Sequence, residues 1–184
     1  MNHYLASTIT KQQATTNIKA HLQSNWWKKI RNTNRLVSIE QMHIPFCCSD
    51  YHAATHSIQE GMEGRIAIEP INNIKAILPV DYEIHTTQQQ RGFFPTHHPI
   101  TKEEAHNAIY WELFTKEKKR QHINVSIQNQ WTLHVPYWIG YIHNKHNTYD
   151  IICVDSITGK IDLTIKDTVL TYIAENGTTK AVSQ

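Results

Sequence analysis

Ile9-Thr10-Lys11 is matched, ninety-one positions later, by Ile100-Thr101-Lys102, and at the same offset His43-Ile44-Pro45-Phe46 is matched by His134-Val135-Pro136-Tyr137. Between the two blocks Ala14, Ile18 and Leu22 fall on Ala105, Ile109 and Leu113 without a gap. A fixed offset held over that distance is the mark of an internal duplication. Thr10 with Gln13, and Thr101 with Glu104, each spell a capping box, in which the hydroxyl and the side-chain carbonyl satisfy free amides at a helix start. Apolar residues then recur at helical spacing. They are Ala14, Ile18, Leu22 and Trp26 in the first copy, and Ala105, Ile109 and Leu113 in the second, with Ala108 and Trp111 beside them. Lys28-Lys29 and Lys118-Lys119-Arg120 follow, where cations suit the negative end of a helix. Each copy is expected to open with a helix of roughly 18–20 residues.

Alternating apolar and polar residues predict strands after each helix. In the second copy these are 123–127, 131–135, 138–142, 149–155 and 160–163, with Pro136 as an interruption. In the first they are 36–44, 46–51, 64–69 and 74–78. The expected fold is α+β: a tandem duplication of a helix followed by an antiparallel β-meander. Residues 1–80 form the first unit, 81–99 a connecting segment, 100–176 the second unit and 177–184 a flexible tail.

Ile100-Thr101-Lys102-Glu103-Glu104-Ala105 at the helix start and Val154-Asp155-Ser156-Ile157-Thr158-Gly159 at the end of the sheet resemble the opening and closing motifs of the PepSY domain. The resemblance implies PepSY- or cystatin-like units, each a helix packed on an antiparallel sheet, and a binding role of the kind proposed for regulators of peptidases. It covers the second copy; the first is reached only through the repeat, because Glu69-Pro70-Ile71-Asn72-Asn73 stands where the Asp-x-x-x-Gly turn would be.

Composition bounds the function. The chain has 184 residues, of which 18% are charged, and a formal net charge of +2. So weak a global field gives no reason to expect nucleic acid as a partner. The thirteen histidines make charge sensitive to pH near 6.5. No basic-then-apolar leader opens the sequence, and no apolar run approaches the ~18 residues that span a bilayer. Cys47, Cys48 and Cys153 are an odd set with a vicinal pair, a poor disulfide framework that points to the cytoplasm. Gly-rich phosphate loops, Gly-x-Ser-x-Gly and His-Glu-x-x-His are all missing.

Four constellations remain. His43, Cys47, Cys48 and His52, with His56 beyond, carry imidazole and thiolate groups of the kind that hold zinc or copper. In a strand Cys47 and Cys48 would point to opposite faces, against a single site. His134, His143, His146 and Cys153 are a second such set. The repeated His-x-Pro-aromatic element could line one groove with His43, Phe46, His134 and Tyr137, and Trp138 and Tyr141 beside it would supply aromatic anchors. Trp26-Trp27-Lys28-Lys29 with Arg31 suits a membrane surface or single-stranded nucleic acid. The leading expectation is a non-enzymatic module without cofactor that binds a peptide or protein, as an inhibitor, immunity protein or adaptor does. The alternatives are a zinc- or thiol-dependent protein using the first cluster, and a peripheral binder using Trp26–Arg31.

Overall fold

The computed structural model describes residues 1–23, 34–55, 61–89, 91–96, 99–116, 123–144 and 147–181. The described residues are mostly β, in a curled mixed sheet, and the described helices are three. This overturns the expected α+β tandem of helix-plus-meander units. The strands are β1 (Asn2–Tyr4), β2 (Arg35–Thr55), β3 (Met62–Glu69), β4 (Ile74–Leu78), β5 (His85–Thr87), β6 (Ile123–His143) and β7 (Tyr149–Asp155). The helices are α1 (Lys11–Gln23), α2 (Lys102–Lys116) and α3 (Lys166–Ala181).

The physical reason lies in β2 and β6. Segments that looked like short meander strands run together into two strands of 21 residues each. These pair with one another, antiparallel, from Arg35–His143 to Thr55–Ile123, so the halves of the chain share one sheet. Alternation says which face a residue takes, not which strand lies beside it. The order is β4-β3-β2-β6-β1-β5, with β7 also on β6, and β1 runs parallel to β6.

Pro45 and Pro136 looked like breaks because proline cannot donate to a ladder. Both sit inside the long strands without loss. Pro45 stands opposite His134 and Pro136 opposite His43. At these four positions the backbone polar groups point outward from the β2–β6 pair: His43 bonds Gly92 and Phe94, and the His134 carbonyl accepts from Leu5. Pro45 falls where β2's outer neighbour changes from β3 to residues 92–94. Pro136 falls where β6's changes from β7 to β1. Among the described residues no strand presents an acceptor at either gap, so the missing N–H leaves no ladder bond unmade.

The sheet has two covered faces. On the core face Ile44, Phe46, Leu133, Val135 and Ile139 pack with Ile165, Val169 and Tyr172 of α3. Each such side chain contributes about 1.5–3 kcal/mol on burial. On the helix face, α2 packs Ala105, Ala108 and Ile109 on Tyr51, Ile66 and Ile68. There too α1 packs Ala14 and Ile18 on Ile142, Ile152 and Val154. Both capping boxes form: Gln13 accepts the Thr10 N–H at 2.8 Å and Glu104 accepts that of Thr101 at 2.8 Å. Trp111, expected beside the buried stripe, is 57% exposed. The segment 81–99 carries β5, Phe93 and Phe94, and α3 continues past Gly177, where a flexible tail was expected.

α3 is pinned by a buried carboxylate. Glu69, fully buried at the end of β3, accepts the N–H groups of Ile71 (2.9 Å) and Asn72 (2.8 Å) and the Thr168 hydroxyl (3.0 Å). Asn72 donates to the same hydroxyl oxygen at 2.7 Å. The β3–β4 turn and the start of α3 are thereby one polar unit, its donors offsetting the cost of burying charge.

Candidate functional site

α3 does not fill the core face. Beside it remains a cavity of about 380 Å³. Phe46, Val135 and Tyr137 from the central strands lie at one side, Ala76 and Leu78 of β4 at another, and Asp155, the last residue of β7, with Asp162 beyond it, at the far end. The opening exists because Ala67 and Ala76, directly paired across β3 and β4, put methyl groups where larger residues would close it. That pair of alanines was the signal available in the sequence. The size falls within the range of small-ligand and side-chain pockets.

The far end is polar. Tyr137 donates its hydroxyl to Asp162 Oδ2 at 3.2 Å. Burial, then the Asp162 and Asp155 carboxylates, push the Tyr137 phenol far above its usual pKa, so it stays a donor. Asp162 Oδ1 accepts from the Thr164 N–H (2.9 Å) and hydroxyl (2.6 Å) and turns the chain into α3. Asp155 Oδ1 accepts the Ile157 N–H at 2.8 Å, and its Oδ2 accepts the Thr158 hydroxyl at 2.7 Å. Gly159, at φ 74°, completes that turn in a conformation glycine adopts without strain. The Asp155–Gly159 motif behind the family resemblance therefore holds this turn, at the rim of the cavity. Among the described residues no Lys, Arg or His forms an ion pair with Asp155 or Asp162.

The cavity lies along β4, which is the end of the sheet order, so its outer side has no strand partner among the described residues. An edge of unpaired N–H and C=O groups is a template for another strand.

The expected binding residues divide between the faces. Phe46 and Tyr137 line the cavity. Tyr141 packs on the same core face and gives its hydroxyl to Glu40. Trp138 instead packs with α1 and donates its indole N–H to the Ile9 carbonyl at 3.2 Å. His43 and His134 stand on the helix face in a ring cluster with Phe93 and Tyr4. His43 stacks on Phe93 at 4.2 Å between centroids, and His134 meets it edge-on at 5.1 Å. His43 Nδ1 lies 3.3 Å from the Gly92 carbonyl. His134 Nδ1 and Nε2 each lie 3.3 Å from a carbonyl, those of His3 and Phe94. Burial lowers the pKa of both, each with a smaller contribution from a neighbouring imidazole. Phe93 and Tyr4 are the members of this cluster that no motif in the sequence singled out.

Cys47 and Cys48 do point to opposite faces. Cys47 accepts an N–H from Gln130 at 3.0 Å, while Cys48 is fully buried. Burial raises both thiols, Cys48 to about 12, and Cys153 likewise to about 12. Protonated thiols are weak ligands and nucleophiles. Among the described residues no three His, Cys, Asp or Glu groups converge as a metal site would require. His56, His146 and the segment Trp26–Arg31 lie outside the described residues. No described helix is long and apolar enough to cross a membrane.

No family model matches the chain. No curated protein and no solved structure matches it either.

Proposed function

We propose that the chain is a binding module for an extended segment of a peptide or protein partner, in the manner of an inhibitor, immunity protein or adaptor. The partner adds a strand to the outer side of β4, and its inward side chains enter the cavity bounded by Phe46, Ala76, Leu78 and Tyr137. The observation that supports this reading is the juxtaposition of an open apolar cavity with an unpaired strand edge. Backbone pairing supplies affinity in such an arrangement, and the pocket for alternate side chains supplies selectivity. Three free thiols, two of them buried, fit the reducing cytoplasm as the place of action.

Ala76→Phe tests it, because the new ring occupies the cavity from β4 itself. Polypeptides captured from the protein's own cells by wild type are expected to be lost by this variant, with unchanged circular dichroism. Capture of the same polypeptide at wild-type level by Ala76→Phe removes the cavity from the mechanism. Trp138→Ala would be a poor probe, since that indole secures α1.

A further inference from the structure

The cavity has two unlike ends. Its body is apolar, while Asp155 and Asp162 stand together at the far end. Asp155 stands opposite Tyr137 in the β6–β7 ladder and Asp162 accepts the Tyr137 hydroxyl at 3.2 Å, which places both around one point of the lining. Each oxygen they present is satisfied by backbone N–H groups or hydroxyls, so neither carboxylate is neutralised by its bonds. Lys166 is held elsewhere, 2.6 Å from Asp150, and Lys160, in the turn itself, pairs with neither aspartate. Lys75 borders the cavity from β4, where its Cα pairs with Ile68 on the helix-face register, away from the register of Ala76 and Leu78. The apolar body would take four methylenes, and the end would take a positive charge.

We infer that the segment bound at β4 carries a lysine or arginine side chain whose stem lies in the apolar cavity and whose cation meets Asp155 and Asp162. This inference rests on the binding reading above and specifies its partner. An aliphatic stem with a charged tip matches apolar walls that end in carboxylates. Bonds from a cation to carboxylates are shorter and about twice as strong as neutral ones. The bound cation would also give the two carboxylates the countercharge they lack. A phenyl or branched apolar side chain would fill the body and leave the acidic end without one.

The test uses fluorescein-labelled peptides of alternating threonine and valine that differ at one central position, lysine, glutamine or glutamate, read by fluorescence anisotropy. The lysine peptide is expected to bind at least about ten-fold more tightly than the glutamine peptide, as a charge-assisted bond requires. The glutamate peptide should be the weakest, and the lysine advantage should shrink as salt rises. Asp155→Asn and Asp162→Asn can keep Oδ1 as acceptor for the backbone N–H groups of the turn, with an amide NH2 in place of Oδ2 beside the Thr158 or Tyr137 hydroxyl, and each should shrink the ratio of lysine to glutamine affinity. Equal binding of lysine and glutamine peptides overturns this inference and leaves the strand-addition reading standing. Binding of none of the three overturns both. A lysine advantage that survives in both Asn variants overturns the assignment to these carboxylates.

Discussion

A methyl group added at Gly64 would run into the Tyr51 ring, which is 4% exposed and wedged against α2. At Gly140 the same methyl would meet Ile18 Cδ1 at 2.7 Å and Leu36 Cδ1 at 3.0 Å, the free ends of two flexible side chains. A ring locked in a core cannot step aside as a terminal methyl can. Gly64→Ala is therefore expected to cost about 1–3 kcal/mol, as overpacking does, and Gly140→Ala less than about 1. Urea unfolding at neutral pH compares them. His43 and His134 carry a second prediction. Their folded pKa values lie below the ordinary imidazole value of about 6.5, so the unfolded chain binds protons first as pH falls. Their contribution to stability is whole above about pH 6.5 and is lost as pH drops from there through the lowered folded values. Replacing either by glutamine should flatten the urea midpoint between pH 7 and 5; an unchanged slope in both variants would exclude these two rings as the source.

At the scale of elements, helix starts were legible and strand partners were not. Thr10 and Thr101 announced α1 and α2 because a cap is a local bond, written within four residues. Thr101→Ala should remove about 0.5–2 kcal/mol, with the loss appearing first as amide exchange in the opening turn of α2. The strand at 74–78 was legible for the same reason, its alternation being local. Pro136 misled because its meaning depends on a gap between β1 and β7 that no local pattern records. Pro136→Ala leaves the ladder bonds unchanged, so its cost in urea unfolding is expected to be that of the ring carbons lost from a buried site, roughly 1–2 kcal/mol; no loss would show that the ring contributes nothing to packing. α3 was missed although Ile165, Val169 and Tyr172 recur at helical spacing after the Asp162 turn. The cavity was half legible: Phe46 and Tyr137 stood out as aromatics, whereas Ala67 and Ala76 matter for the bulk they lack.

For the whole molecule, the β2–β6 ladder makes the halves interdependent. Cys48 lies on β2 and Cys153 on β7, yet both border the same core cluster. Under urea both thiols should become reactive at one midpoint, which is also that of the loss of sheet signal. Two separated midpoints would mean that the halves unfold independently. β1 carries the same interdependence into time. It is hydrogen-bonded between β6 and β5, and the His3 carbonyl meets a ring 131 residues further along the chain. On a ribosome adding roughly 5–20 residues per second, that segment waits on the order of ten seconds for its neighbours to be made. The interior of this sheet therefore closes late, around a strand that emerged well before the two that flank it.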